Sequence, residues 1–249
     1  MRRKNDWHHG PAWAWVAAFV VVLGIDTALG RWVTLPIFVM GFYGGMIVID
    51  LVTYPLLRRW RDWLHPRGVR AWYLAEVGGL WIGTAVVLAL LAPWWLDWSW
   101  DGALPFQVIG ALVLVLSVGV GTWAAGNMGW ARLLFASALF PPAVGAQDRV
   151  PQRLVVEGPY RYVRNPLYDT DVGVILGTAL LTSNWGLIVL TVAYLLQLGM
   201  QLYLEERELK VRFGETYARY CRLVPRFIPR LGPVDQNDIH EDAQGRPRR

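Results

Sequence analysis

The sequence predicts an all-α, polytopic membrane protein of five to six transmembrane helices that ends in a helical hairpin. Three observations predict it. Apolar residues fall in runs close to the ~20 residues a helix needs to cross a ~30 Å hydrocarbon core. Arginines gather between those runs on one side, as the positive-inside rule requires of cytoplasmic loops. Tryptophan is unusually frequent, fifteen in 249 residues, and Trp favours membrane–water interfaces. Bulk composition points the same way more weakly. It is 55% hydrophobic and 17% charged, against about 45–50% and about 25% in ordinary soluble domains.

The first apolar run, Trp13 to Leu29, follows Met1-Arg2-Arg3-Lys4. A basic start before an apolar run resembles a signal peptide. The run lacks a small-x-small cleavage site and a second span follows at once, so it reads as a retained first span. The second runs from Trp32 to Leu57, the third from Trp72 to Leu96, and the fourth from Leu104 to Ala125. Asn127 to Phe140 reads as an amphipathic or interfacial stretch, and Pro141 to Gln152 as a Pro/Gly-rich loop. Val172 to Leu181 is only half a span long, Thr182 to Gly186 is a turn, and Leu187 to Leu204 runs back. Such a hairpin is tolerated in a bilayer when it packs on protein or lines a cavity. The organisation expected is four N-terminal helices in residues 1–126, a core with the hairpin in 127–230, and a disordered polar tail in 231–249.

Arg2, Arg3, Lys4, the Arg58–Arg70 loop, Arg149, Arg153, Arg161 and Arg164 share one side, while Arg31, Asp97 and Asp101 share the other. The N-terminus and everything after the fourth span are therefore expected in the cytoplasm, with the chain in the inner membrane. The net charge of +5 is explained by this anchoring to membrane lipids. No groove-reading motif accompanies it, so nucleic acid is not an expected partner. One cysteine, Cys221, excludes an intramolecular disulfide, and the four histidines are never in ligand spacing, so no metal is expected. The oligomeric state is not legible.

Two polar clusters stand where chemistry is possible. Gly158 to Tyr168 packs arginines, prolines and tyrosines at the mouth of the hairpin. A juxtamembrane anchor would explain the Arg and Tyr. The two fixed turns, Gly158-Pro159 and Asn165-Pro166, specify more than an anchor needs. Glu205-Glu206-Arg207-Glu208-Leu209 lies at the far end of the returning helix. Acidic residues at a helix C-terminus oppose the macrodipole, unless the helix continues through them with a solvated face.

"EGPYRYVRNPLY", the apolar hairpin, and "EERELKVRFGETYARYCRLVPRFIP" together resemble the isoprenylcysteine carboxyl methyltransferase and phospholipid methyltransferase superfamily. The resemblance covers Arg153 to Pro229, with three blocks in order. It implies an integral-membrane methyltransferase that uses S-adenosylmethionine, held in a cytoplasmic C-terminal cofactor pocket. By position, Gly158, Pro159, Tyr160 and Arg161 would line the cofactor. Arg164, Asn165, Pro166 and Tyr168 would form the family's Arg-His-Pro-x-Tyr element, and Glu205, Glu206 and Leu209 its Glu-Glu-x-x-Leu element. Tyr217, Tyr220 and Arg226 would cover the site. Asn165 replaces the usual His; it serves if that residue hydrogen-bonds the cofactor and fails if it does acid–base work. Gln201 replaces a functional Arg of the carboxyl methyltransferases, which weakens the case for a prenyl-cysteine carboxylate as substrate.

Asp169 and Asp171 either face the cofactor's ammonium or the substrate entrance, or leave Asp169 or Thr170 to cap the short helix. Asp50 and Glu76 lie within the second and third spans, where a charge is costly and points to function. They either stand on the substrate side as catalytic groups or make helix–helix hydrogen bonds and snorkel to Arg58 or Arg70. Asp26 reads as interfacial. Gly41, Gly44, Gly45, Gly78, Gly79, Gly119 and Gly121 read as sites of close helix packing. The acceptor expected is a lipophilic small molecule or lipid. The alternatives are a nicotinamide-dependent membrane reductase of the steroid-reductase type, or a non-catalytic transporter or scaffold.

Overall fold

A computed structural model of the chain describes residues 12–53, 63, 73–128 and 154–240. The described residues are helical apart from turns and one isolated bridge, and they confirm the all-α class. Helix α1 (Ala12–Leu29) turns through Gly30 into α2 (Thr34–Thr53). Asp26 makes this turn. Its carboxylate accepts from the backbone N–H groups of Val33 (3.1 Å), Thr34 (2.7 Å) and Leu35 (2.8 Å). Those are donors that the first turn of a helix leaves without intrahelical partners, so α1 caps α2. Asp26 is 2% exposed, and a buried carboxylate is tolerable here because three N–H groups and the Thr34 hydroxyl satisfy it.

The expected third span is three segments. Tyr73–Trp81 is π-helical, α3 covers Ile82–Leu90, and α4 is Ala92–Leu96. Pro93 explains the second break, since it lacks an N–H and its ring would meet the carbonyl four residues earlier. Helix α3 lies on α2 where glycines permit it. A Cβ on Gly41 would sit 3.2 Å from that of Ala85, and Gly44 and Gly45 face Leu88 and Trp81. The Trp81 indole donates to the Phe42 carbonyl (2.8 Å) and its ring meets Phe42 edge-on.

Helix α5 (Leu104–Met128) buries Gly110, Leu114 and Ala124 on one face. Leu104, Phe106, Ile109, Leu112, Val115 and Leu116 are exposed on the others. Apolar residues facing outward suit hydrocarbon rather than water. The buried face meets α6 (Pro166–Thr182). There a Cβ on Gly177 would stand 2.8 Å from the Leu114 backbone nitrogen and 2.9 Å from the Gly110 carbonyl. Gly121 packs on Thr170, whereas Gly119 has open space and Gly79 meets only its own helix, so these two do not serve packing.

Helix α6 is longer than the half-span expected. It begins at Pro166, a residue suited to a helix's first turn. It carries Asp169 and Asp171 inside because the Asp171 carboxylate accepts from the Tyr43 (3.0 Å) and Tyr194 (2.7 Å) hydroxyls. Neither Asp169 nor Thr170 caps it: Asn165 holds the N-cap position without a side-chain bond, and the Thr170 hydroxyl donates to the Leu167 carbonyl. The hairpin turns at Ser183, which is left-handed, and Asn184. The Asn184 amide donates to the carbonyls of Trp95 and Leu96 and accepts from the Leu187 N–H (3.0 Å), so it caps α7 (Trp185–Leu223) and holds α4 to the tip.

Helix α7 passes straight through Glu205 and bends only at Gly214. The acidic pair is therefore interior to a helix, and the macrodipole penalty is absent. The expectation of a disordered tail from residue 231 fails over its first ten residues. Val234 and Ile239, the latter on α8 (Gln236–His240), are buried with Leu154, Val156, Tyr217, Tyr220 and Val224. The cause is apolar burial that a polar average conceals. The interfacial stretch beyond Met128, the loop 141–152 and the basic loop at 58–70 (Trp63 excepted) lie outside the described residues.

Thr34–Val52, Leu104–Met128 and Trp185–Arg207 are long and apolar enough to cross a membrane; Val16–Leu29 and Gly78–Leu90 are shorter apolar helices.

Candidate active site

Two irregular segments close the end of the α6–α7 pair. One is the run from Leu154 into the 3-10 turn Gly158–Arg161, the other the strap after α7. They zip together through the backbone. The Arg164 N–H donates to the Pro225 carbonyl (2.9 Å), Arg230 to Tyr162 (3.1 Å) and Val234 to Arg161 (3.1 Å). Side chains complete the seam. Arg161 Nε donates to the Val234 carbonyl (2.8 Å), the Asn165 amide to the Arg226 carbonyl (3.1 Å), and the Tyr220 hydroxyl to the Tyr160 carbonyl (2.8 Å). Gly158 starts the turn at φ +59°, and any Cβ there would strike the Asn127 amide at the end of α5. Pro159 follows it, and Pro159 and Tyr160 are buried.

Charge is concentrated behind this seam. Arg226 forks both oxygens of Glu206, Nε to Oε1 and Nη2 to Oε2, each at 2.9 Å. Arg164 Nη1 reaches the same carboxylate at 3.3 Å and donates to Cys221 Sγ at 2.8 Å. Two-pronged Arg–carboxylate pairing fixes orientation as well as charge. Glu205, the next residue, instead accepts from the Tyr168 hydroxyl (2.7 Å). The adjacent glutamates thus differ: Glu206 is locked by cations, while Glu205 turns to the hairpin mouth. Burial pushes the Tyr217 and Tyr220 hydroxyls well above the usual tyrosine range, so both stay protonated and able to donate. Among the buried polar atoms here without a hydrogen-bond partner are Arg164 Nε and Asp169 Oδ2.

The structure brings Tyr160, Arg161, Arg164, Asn165, Tyr168, Glu205 and Glu206 to one end of the hairpin. Pro166 opens α6, and Leu209 packs in the cluster beneath Tyr217 and Tyr220. Asp50 is elsewhere: it is buried inside the helices and accepts from the Gln197 amide. Glu76 lies on the π-helical segment, and its side chain is outside the described residues. Sequence reasoning missed three participants: Cys221 as an acceptor, Val234 as the partner of Arg161, and the Tyr43–Asp171–Tyr194 bond set. Only the first left a trace, since Tyr217 and Cys221 are four apart on one helix face.

Residues 106–216 match the model of the phospholipid methyltransferase family. That segment is similar to the family, which lies within the isoprenylcysteine and phospholipid methyltransferase superfamily. It covers α5, α6 and most of α7, so the family segment is the hairpin with the helix that packs on it. The chain is also 31% identical over 134 residues to the cobalt-zinc-cadmium resistance protein CzcN of Cupriavidus metallidurans; the match covers 53% of this chain and 54% of that protein. The chain thus spans about half the length of this relative. The family and the apolar helices together mark an integral membrane protein.

Proposed function

We propose that the chain is an S-adenosylmethionine-dependent methyltransferase acting on a lipophilic or membrane-partitioned acceptor, with its cofactor site facing the cytoplasm. The match of residues 106–216 to the phospholipid methyltransferase family supports methyl transfer in general. The observation that carries the cofactor reading is the pair of buried unpartnered atoms at the hairpin mouth, Arg164 Nε and Asp169 Oδ2. Unsatisfied buried polar groups are rare and call for a partner. A buried donor and a buried acceptor five residues apart in the sequence fit an amino-acid zwitterion, which S-adenosylmethionine carries at one end.

In this reading Arg164 would hold the cofactor's carboxylate and Asp169 its ammonium. Glu205, oriented by Tyr168, would accept from ribose hydroxyls. Glu206 would position Arg164 rather than touch the cofactor. Gly158, Pro159, Tyr160 and Arg161 would form the wall, and Asn165 would fasten the strap that carries Arg226. The cofactor, when bound, supplies a methyl group on a cationic sulfur. The chain's own task is to position the acceptor in line and to exclude water, so a site without a base or metal is sufficient for an ionised acceptor.

Calorimetry on the purified protein tests this. S-adenosylmethionine or its demethylated product should bind, and Arg164→Ala should remove binding without unfolding the protein. Binding of NADPH alone would overturn the reading in favour of a reductase. Labelled-methyl transfer into a lipid extract would then reveal the product.

A further inference from the structure

A buried polar cluster lies outside this site. Along α7, Tyr194, Gln197 and Gln201 lie on one face, three and four residues apart. Opposite them on α2 stand Tyr43 and Asp50, two turns apart. At the first level the Tyr43 and Tyr194 rings meet edge-on at 5.6 Å and both hydroxyls donate to Asp171, so this level is complete. At the second, the Gln197 amide nitrogen donates to Asp50 and to Gln201 Oε1 (3.0 Å). Asp50 sets the direction of both amides: a carboxylate only accepts, so Gln197 must present nitrogen, and Gln201 must answer with oxygen.

Two atoms are left over, Gln197 Oε1 and Gln201 Nε2. Gln197 is 4% exposed and Gln201 fully buried. Their surroundings are apolar, with Leu198 and Leu202 on the same helix among the buried core. An acceptor and a donor left without partners in an apolar core cost about 1–3 kcal/mol each unless something answers them. Gln197 is accounted for by its bond to Asp50; the spare Gln197 Oε1 and Gln201 Nε2 are not.

We infer that Gln197 and Gln201 form the head-group site for the membrane-borne acceptor, and that this head is uncharged and both donates and accepts a hydrogen bond, as a hydroxyl or a carboxamide does. The inference rests on the methyltransferase reading for the word acceptor, but not for the binding itself. An ammonium only donates and leaves Gln201 Nε2 unanswered. A carboxylate only accepts and would lie beside Asp50, a like charge. Gln201 is one turn from Glu205, about 6 Å along the axis, so a ligand held here has its neighbouring atoms at the level of the proposed methyl donor.

The test uses the full chain in lipid nanodiscs without S-adenosylmethionine, with binding read by calorimetry. The probes are 4-octylphenol, its methyl ether 4-octylanisole, octylamine and octanoate. Octylphenol should bind at least tenfold more tightly than the other three. Gln201→Met, which keeps size and removes both amide atoms, should reduce octylphenol affinity at least tenfold and leave S-adenosylmethionine affinity within twofold. Equal binding of octylphenol and octylanisole, or a preference for octylamine, would overturn the inference, as would unchanged octylphenol affinity in a folded Gln201→Met protein. If that variant does not fold, the ranking of the four probes on the unaltered chain decides alone. Failure of S-adenosylmethionine to bind the unaltered chain would instead remove the methyltransferase reading and leave the head-group result standing.

Discussion

Glu206 concentrates the residue-scale argument. Its carboxylate is half-enclosed and takes three bonds from two guanidinium groups. Removing it leaves two cations close together with nothing between them, a change larger than the loss of one surface pair. Glu206→Ala is expected to abolish S-adenosylmethionine binding by freeing Arg164, and to lower unfolding stability by about 1–3 kcal/mol; calorimetry and a thermal melt check both. Glu205→Gln should act differently. It keeps an oxygen for Tyr168, so the melt should change less than for Glu206→Ala while cofactor affinity falls. Sequence alone paired these glutamates as one element. Which of them takes the Arg226 fork depends on the strap folding back, and no local pattern carries that. Asn165 is a related case: its amide holds the Arg226 carbonyl, a backbone latch that its place in a histidine motif does not reveal.

At the scale of elements, the α5–α6 contact depends on glycine for close approach. Gly177→Val would force side-chain atoms against the Leu114 nitrogen and the Gly110 carbonyl. Backbone cannot yield as a rotamer can, so a loss of about 3 kcal/mol or outright failure to fold is expected in a denaturant titration. Asn184→Ala should be milder, about 1–2 kcal/mol, through loss of the α7 cap and the hold on α4. The spans themselves were legible, because run length and composition are local properties. Their ends were less so. The beginning of α6 at Pro166 hides behind Asp169 and Asp171, which look wrong for a membrane helix until two distant tyrosines are seen to answer Asp171. The break at Pro93 is a local property, since proline acts on its own helix, yet the expected span from Trp72 to Leu96 runs across it. Helix α8 was hidden because two buried apolar residues, Val234 and Ile239, are diluted by polar neighbours.

For the whole molecule, the cluster that holds the strap contains tyrosines with a pH signature. Burial holds the Tyr217 and Tyr220 hydroxyls neutral above the ordinary value of 10.0. In the unfolded chain they ionise near that value. A raised folded-state pKa stabilises fully below the unfolded pKa and is lost as pH rises through the window above it. Stability should thus be level up to about pH 9 and fall above pH 10, and Tyr217→Phe with Tyr220→Phe should flatten the fall; melts across that range would show it. A fall of the same steepness in the double variant would place the sensitive groups elsewhere.

Helix α7 runs unbroken from the hairpin tip to Gly214, and that makes it a ruler. From Trp185 to Leu204 it measures about 30 Å at 1.5 Å per residue, which is the hydrocarbon thickness of an ordinary bilayer. Glu205 is the next mark on the scale. The depth of that carboxylate is therefore a length comparison between one helix and its lipid: longer acyl chains draw it under the surface, and shorter ones lift it clear. A carboxylate sinking into hydrocarbon loses its charge or tilts the rod. Cofactor affinity in nanodiscs should then peak at one acyl length and decline on both sides, and a flat profile would mean the rod is held by the protein alone.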